Sequence, residues 1–215
     1  MEIITFALAK GRLGEQAMHL LESIGIDCSE PRNPGRKLVL EACEQNYRFI
    51  LVKPSDVPTY VEHGVADIGF VGKDTLMEEN RPLYEMLDLG FGLCRLCIAG
   101  YRDKSDNERA YFRVATKYPN IAREYYKSKG RSIEIIPLHG SVELGPLVGL
   151  SDVILDIVES GSTLKANGLE VLEEVCSVSA RLVVNRVALK TKRDRIKKIV
   201  SGIEKLLISE ESVWR

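Results

Sequence analysis

Ser151-Asp-Val-Ile-Leu-Asp-Ile-Val-Glu-Ser-Gly-Ser-Thr-Leu164 is an apolar run that ends in two acids and a small-residue turn. Val153 to Val158 is β-branched and nearly all apolar, the pattern of a strand buried on both faces of a parallel sheet. Gly161 lets the backbone turn sharply and approach a ligand closely. Backbone N–H groups and the hydroxyls of Ser160, Ser162 and Thr163 then make a cradle for a phosphate. Asp156 and Glu159, just upstream, can accept hydrogen bonds from sugar hydroxyls. Acids followed by such a turn suit a ribose 5-phosphate. Strand-to-turn junctions also carry Ser, Gly and Thr for structural reasons alone.

Outward from this stretch, strand-like and helix-like patterns alternate, which predicts an α/β fold. Ile3 to Ala9 reads as a strand. Leu13, Ala17, Leu20, Leu21 and Ile24 recur at helical spacing up to Gly25. Lys37 to Ala42 and Tyr47 to Val52 read as a hairpin. Ser55 is the expected cap of a helix over 56–63 that Gly64 ends. Asp67 to Val71 is a short strand feeding a helix near Asp74. Leu93 to Ala99 and Phe112 to Thr116 are strands. Asn120 is the expected cap of a helix to Lys129. Ile133 to Pro137 leads to a loop and helix at Ser141. Glu170 to Ala188 reads as extended, and Lys192 to Ile208 as the last helix. Arg102 to Glu108 is the most polar break and reads as an exposed loop.

At 215 residues the chain suits one large domain or two smaller lobes. Thirty basic side chains against 31 acidic ones leave a formal charge of −1, so there is no electrostatic footprint for nucleic acid. The basic run Lys190 to Lys198 reads as a solvated helix face. No apolar stretch approaches the ~20 residues of a membrane span. Met1-Glu2-Ile3 opens into a strand without a basic leader, so the expected location is the cytoplasm. Five cysteines, an odd number, suggest reduced thiols rather than a disulfide framework. Cys94 and Cys97 form a lone C-x-x-C in a strand-like setting, a poor zinc site. His19, His63 and His139 are scattered and read as structural or surface residues.

The quoted stretch also has a wider frame. Glu143 is followed by five residues, then Gly149-Leu150-Ser151, the Ile154-Leu155-Asp156-Ile157 core and Ser160-Gly-Ser-Thr-Leu164. This resembles the signature of the ATP phosphoribosyltransferases, the enzymes that open histidine biosynthesis. Phe6-Ala-Leu-Ala-Lys-Gly-Arg-Leu13, Gly35-Arg-Lys-Leu38, Val52 to Val61, Ala66 to Asp74 and Val114 to Asn120 are similar to the same family, in the same order. The resemblance runs from Met1 to about Leu207.

The resemblance implies a two-lobed, type II periplasmic-binding-protein-like fold with the active site in the cleft between lobes. Lobe I would be residues 1–93 plus 182–215. Lobe II, 94–181, would carry the phosphoribosyl pyrophosphate loop: Asp156, Glu159, Ser160, Gly161, Ser162 and Thr163. The implied reaction is attack of N1 of the ATP adenine on the anomeric carbon of phosphoribosyl pyrophosphate. Both substrates are polyanions, so the site needs cations more than a strong base. Mg2+ is expected, held mainly by substrate phosphates.

Lys10 and Arg12 flank Gly11 after the first strand, well placed for phosphate or for a solvated turn. Arg36 and Lys37 are expected to open a strand, and Arg36 offers a planar fork. Lys53 stands where the family pattern has Arg; it keeps the charge and loses the fork. Lys10, Arg36 and Lys53 are the expected catalytic cations, and Arg12 and Asp74 the expected ATP contacts. Asp74 equally suits a helix cap. The chain stops soon after its last helix, as a short form without a regulatory domain would. The resemblance therefore implies a separate regulatory subunit like histidyl-tRNA synthetase, and insensitivity of this chain alone to histidine. A binding protein of the same fold without catalysis is the competing reading; the absence of a signal peptide and of a DNA-binding module weighs against it.

Overall fold

The alternation resolves into two sheets because the chain leaves the first sheet, completes a second and returns. The structure, a computed structural model, describes residues 2–102 and 112–213. Beyond Arg102, the stretch expected as an exposed loop lies outside the described residues.

Unit 1 is Met1–Gly92 with Ser179–Arg215, and unit 2 is Leu93–Val178. In chain order, unit 1 first contributes β1 (Ile4–Ala9), α1 (Arg12–Ser23), α2 (Ser29–Arg32), β2 (Val39–Ala42) and β3 (Tyr47–Val52). It continues with α3 (Val57–Glu62), β4 (Ile68–Gly72), α4 (Lys73–Glu79) and β5 (Tyr84–Asp88). Unit 2 holds β6 (Cys94–Gly100), β7 (Arg113–Thr116), α5 (Pro119–Ser128) and β8 (Glu134–Pro137). Then come α6 (Leu144–Leu147), β9 (Val153–Val158), α7 (Ser162–Ala166) and β10 (Glu170–Val178). The return supplies β11 (Ala180–Val184), α8 (Ala188–Thr191) and α9 (Arg193–Val213).

The sheet of unit 1 has the order β2-β3-β1-β4-β11-β5, and that of unit 2 the order β10-β6-β9-β7-β8. In unit 1, β1 runs parallel to β3 and β4, so their carboxyl ends share one edge. In unit 2, β9 is central, antiparallel to β6 and parallel to β7. Both sheets are covered on two faces. Phe6, Phe49, Phe70 and Leu182 pack towards Leu21, Ile199 and Ile203 of α1 and α9, while Ala7, Ile50 and Val183 pack towards Val57 and Val61 of α3. In unit 2, Val153 and Leu155 pack with Ile121 and Tyr126 of α5, and Ile154 and Val158 pack with Leu164 of α7. Helix α1 buries Ala17, Met18, Leu20 and Leu21 at helical spacing. Gly14 sits directly on the end of β1, where a Cβ would fall 1.8 Å from the Ala9 carbonyl oxygen.

Several expectations need correcting. Arg36 and Lys37 precede the strand rather than open it: Lys37 N–H donates to Pro34 O in a turn, and β2 starts at Val39. Ser55 is no cap, because Pro54 starts a 3-10 turn over Pro54–Asp56 that leads into α3. Asn120 lies inside α5, since Pro119 takes the first helical position that suits its missing N–H. The helix expected at Ser141 is only the four residues of α6. Glu170 to Ala188 is two strands in different sheets, broken at Ser179. The return to unit 1 falls at Ser179 rather than after Arg181, because β11 is paired along its whole length with β4. Strand β5 escaped the sequence reading; it is an edge strand with Tyr84, Glu85, Met86 and Asp88 exposed, so it lacks a buried apolar run.

Cys28, Cys94, Cys97 and Cys176 are free thiols. Burial pushes the Cys28 thiol up to about 12, which removes it from thiolate chemistry.

Candidate active site

The turn that follows β9 is built by one left-handed residue. Gly161 has φ 74° and ψ 7° and precedes the first turn of α7. A side chain there would be strained whatever the space around it. Ser160 and Ser162 place their hydroxyls 3.0 Å apart, and Ser162 N–H points to Ser160 Oγ at 3.3 Å. Asp156 is half-buried, with one carboxylate oxygen accepting from Ile157 N–H at 2.8 Å. Glu159, Ser160, Ser162 and Thr163 are exposed.

These residues line a cavity of about 340 Å³ together with Glu143 and Cys94. All six residues expected of the phosphoribosyl loop are therefore brought together in unit 2. Glu143 also lines the cavity, half-buried and without an ion pair among the described residues. It was legible in the sequence as the start of the extended signature, although that reading gave it no role. Gly145 fixes its segment: a Cβ there would meet Ser151 Oγ at 2.5 Å and Ala115 Cβ at 2.9 Å.

In unit 1 the expected cations gather at the shared carboxyl edge of β3, β1 and β4. Ala9 and Val52 are register partners, and Lys10 N–H donates to Val52 O at 3.0 Å, so Lys10 and Lys53 follow the ends of adjacent strands. Lys53 has φ −69° and ψ 149°, the extended conformation that Pro54 imposes. Lys10 and Arg36 line one cavity of about 510 Å³, with Arg32, Lys37 and Glu15 and the apolar Met18, Pro31, Pro34 and Leu51. Among the described residues Lys10, Arg36 and Lys53 are exposed and form no ion pair. By contrast, Arg32 is occupied by Glu22 at 2.7 Å, and that guanidinium holds the Glu22 carboxyl below its ordinary range.

Arg12, Lys53 and Asp74 do not line this cavity. Arg12 is the first residue of α1 and is exposed. Asp74 lies in the first turn of α4, half-buried, and Thr75 Oγ1 donates to its Oδ2 at 3.3 Å. Gly72, not Asp74, is the cap residue of α4. A Cβ on Gly72 would fall 2.1 Å from Asp74 Oδ1, so the glycine makes room for the carboxylate. The neighbouring Lys73 is held by Glu85 at 2.6 Å.

For a metal the residues offer oxygen donors, the carboxylates of Glu143, Asp156 and Glu159 beside three hydroxyls, which fit a hard cation such as Mg2+. Among the described residues no group of three or more His, Cys, Asp or Glu forms a ready-made metal cage. No helix of the described residues is long and apolar enough to cross a membrane.

These features define a class: two-unit α/β proteins that present oxyanion-holding groups at the carboxyl ends of their parallel strands. The family model described as ATP phosphoribosyltransferase matches residues 53–205. The ATP phosphoribosyltransferase of Lachnoclostridium phytofermentans is 56% identical over 96% of this chain and 98% of its own length. That of Bacillus cereus is 55% identical over 97% and 99%. The chain belongs to the ATP phosphoribosyltransferase family. Among solved structures, the ATP phosphoribosyl transferase (HisG:HisZ) complex from Thermotoga maritima is similar with a TM-score of 0.85 and 38% identity, covering 96% of this chain and all of that one. The VFT2 domain of BvgS from Bordetella pertussis shares the fold alone, with a TM-score of 0.59 and 12% identity over 99% of this chain and 93% of that one.

Proposed function

We propose that this chain transfers the phosphoribosyl group of phosphoribosyl pyrophosphate to N1 of ATP, the first step of histidine biosynthesis. The adenine nitrogen donates its lone pair to the anomeric carbon, the bond to pyrophosphate breaks, and pyrophosphate carries away that electron pair. The products are phosphoribosyl-ATP and pyrophosphate. The observation that carries this reading is the turn after β9, where Gly161 in the left-handed region sets hydroxyls and N–H groups beside Asp156.

On this reading Ser160, Gly161, Ser162 and Thr163 hold the 5-phosphate, and Asp156 and Glu159 accept from the ribose hydroxyls. Lys10, Arg36 and Lys53 meet the pyrophosphate, whose charge grows in the transition state, so unpaired cations there lower the barrier. Arg12 and Asp74 contact ATP. Asp156 and Glu159 would also hold Mg2+ together with the substrate phosphates, and the metal would neutralise charge on the leaving group. No strong base is needed, because the attacking nitrogen carries no proton at its lone pair.

The partner is a regulatory subunit resembling histidyl-tRNA synthetase, a reading supported by the complex from Thermotoga maritima. The reaction is placed in the cytoplasm, where ATP is supplied. Pyrophosphate release on mixing the chain with ATP and phosphoribosyl pyrophosphate, with and without the partner, tests the reading. Binding of both substrates without pyrophosphate release under either condition would leave only a binding protein.

A further inference from the structure

The cations assigned to the pyrophosphate are held in place by different means. Lys10 and Lys53 follow the ends of paired strands, and Lys10 N–H is itself bonded to Val52 O at 3.0 Å. Arg36 has no strand beneath it, because it lies between α2 and β2. We infer that Glu22 is a positioning residue for Arg36, acting through Arg32, an inference that rests on the phosphoribosyl-transfer reading.

The segment that carries Arg36 is fixed at both ends and closed in the middle. At the far end Leu51 N–H donates to Leu38 O at 3.0 Å and joins the segment to β3. In the middle Lys37 N–H donates to Pro34 O at 2.9 Å, so Arg36 sits inside a closed turn. At the near end is α2, four residues long and exposed except for Pro31. One turn of helix does not hold itself together in water. Burying Pro31 seats α2, but apolar contact has no direction. Arg32, the last residue of α2, supplies the direction. Its Nε and one terminal nitrogen donate to the two carboxylate oxygens of Glu22 on α1, each at 2.7 Å.

Two parallel bonds to a planar fork set orientation as well as distance. Among the described residues this is the one ion pair that the side chains of residues 29–37 make with another element. Lys37 and Glu30, 3.9 Å apart, both belong to the segment itself. Glu22 stands on the helix that opens directly after Lys10 and Gly11. The clamp therefore refers Lys10 and the Arg36 turn to one rigid element, α1, and the two cations line one cavity. With side chains 37% and 35% exposed, the pair adds little to stability.

Glu22 also neutralises Arg32, which lines the same cavity. The two effects separate cleanly. Removing the Glu22 charge breaks the clamp and frees a cation beside Lys10 and Arg36, whereas removing the Arg32 charge breaks the clamp and frees none. Positioning makes the two changes act alike; charge alone makes them act in opposite directions.

The test follows pyrophosphate formation in a single turnover of the full chain, with and without the partner, at saturating ATP and phosphoribosyl pyrophosphate. Glu22→Gln and Arg32→Gln should each lower the rate by roughly two- to fivefold, as far as an exposed ion pair shifts a population. Half-saturation by phosphoribosyl pyrophosphate should stay within about twofold, and the urea midpoint should barely move. In an Arg36→Ala background neither change should lower the rate further, because a residue that acts through Arg36 then has nothing to place. Exchanging the pair, Glu22→Arg with Arg32→Glu, should restore most of the rate. Unchanged rates in both single variants, opposite effects of the two, or the same loss in the Arg36→Ala background would each overturn the inference. A wild-type chain that releases no pyrophosphate in either condition removes the transfer reading and this inference together. Wild-type release with unaltered single variants removes the inference alone.

Discussion

Strand β4 of unit 1 and strand β9 of unit 2 each have an aspartate just before the strand and another in or just after its carboxyl half, and in each the two ends are treated oppositely. At the amino ends the carboxylates are buried and fully engaged. Asp67 Oδ2 accepts Thr5 N–H at 2.8 Å and faces Lys192 Nζ at 2.9 Å, with its side chain 6% exposed. Asp152 accepts Arg113 N–H at 2.8 Å and faces the same residue's guanidinium at 3.5 Å. At the carboxyl ends Asp74 and Asp156 are only half-buried and border exposed, ligand-sized space or helix starts. The same side chain serves as a staple at one end and, on the proposed reading, as a ligand group at the other. Parallel strands aim their free ends and the following helix starts at one edge, and that is where ligands bind.

The largest effect should come from breaking a staple. Asp67→Ala leaves Lys192 partly buried without its carboxylate, and loss of one partner of such a pair costs about 3–5 kcal/mol. Urea unfolding should show that loss, while turnover per folded molecule stays near wild type. Next comes the opposite edge. Lys10→Ala should lower turnover by roughly 100- to 1,000-fold with an unchanged unfolding midpoint, as expected when a donor to developing charge is removed. A rise in the ATP KM with turnover intact would make Lys10 a ground-state binder instead. Lys53→Ala should act in the same direction, less strongly, since a single point charge stands there in place of a fork.

Smaller again is the turn. Thr163→Ala removes a donor to a charged group, about 1.5–3 kcal/mol or roughly ten- to hundredfold in affinity for phosphoribosyl pyrophosphate. Wild-type affinity by calorimetry in this variant and in a folded Gly161→Val protein would count against the cradle. Asp156→Asn should impair turnover by about tenfold, one charge-assisted hydrogen bond weakened to a neutral one, and leave stability nearly unchanged. If melting falls instead while turnover per folded molecule persists, Asp156 is a staple like Asp152 and the contrast between strand ends fails. The smallest effect belongs to exposed pairs: Glu41→Gln, which opens the Arg48 pair at 2.7 Å, should cost about 0–1 kcal/mol and nothing in activity.

The sequence was most informative where one local rule ruled alone. The β9 run and Gly161 could be read directly, because a twice-buried strand and a left-handed turn each need few residue types. Lys10 and Arg36 were assigned singly, and their meeting in one cavity depends on Leu51 N–H donating to Leu38 O, a pairing that brings residues 34–38 beside the end of β3. That contact is not local and leaves no trace in spacing. The amino-end staples were missed for the same reason: Asp67 and Lys192 are 125 residues apart. Ser55 and Asn120 were misread as caps because a neighbouring proline took the first helical position. Glu143 was visible in the signature, yet nothing in its type or spacing said that it faces the cavity.

The position of β11 bears on the order in which the chain can be made. It lies between β4 and β5, although 91 residues separate Asp88 from Ser179, the residue before it. During synthesis β5 therefore leaves the ribosome with no neighbour on its inner side and waits until unit 2 has been translated. Unit 2 is continuous and can close its five strands first. Domains that emerge whole fold as they appear, so the middle of the chain, Leu93–Val178, should acquire structure before the 92 residues that are made ahead of it. Ribosome-bound chains that display residues up to Val178 but not β11 should yield a protease-resistant core from unit 2 and freely cleaved chain before Gly92. Protection of the first 92 residues in such chains would show that unit 1 does not need its last strand.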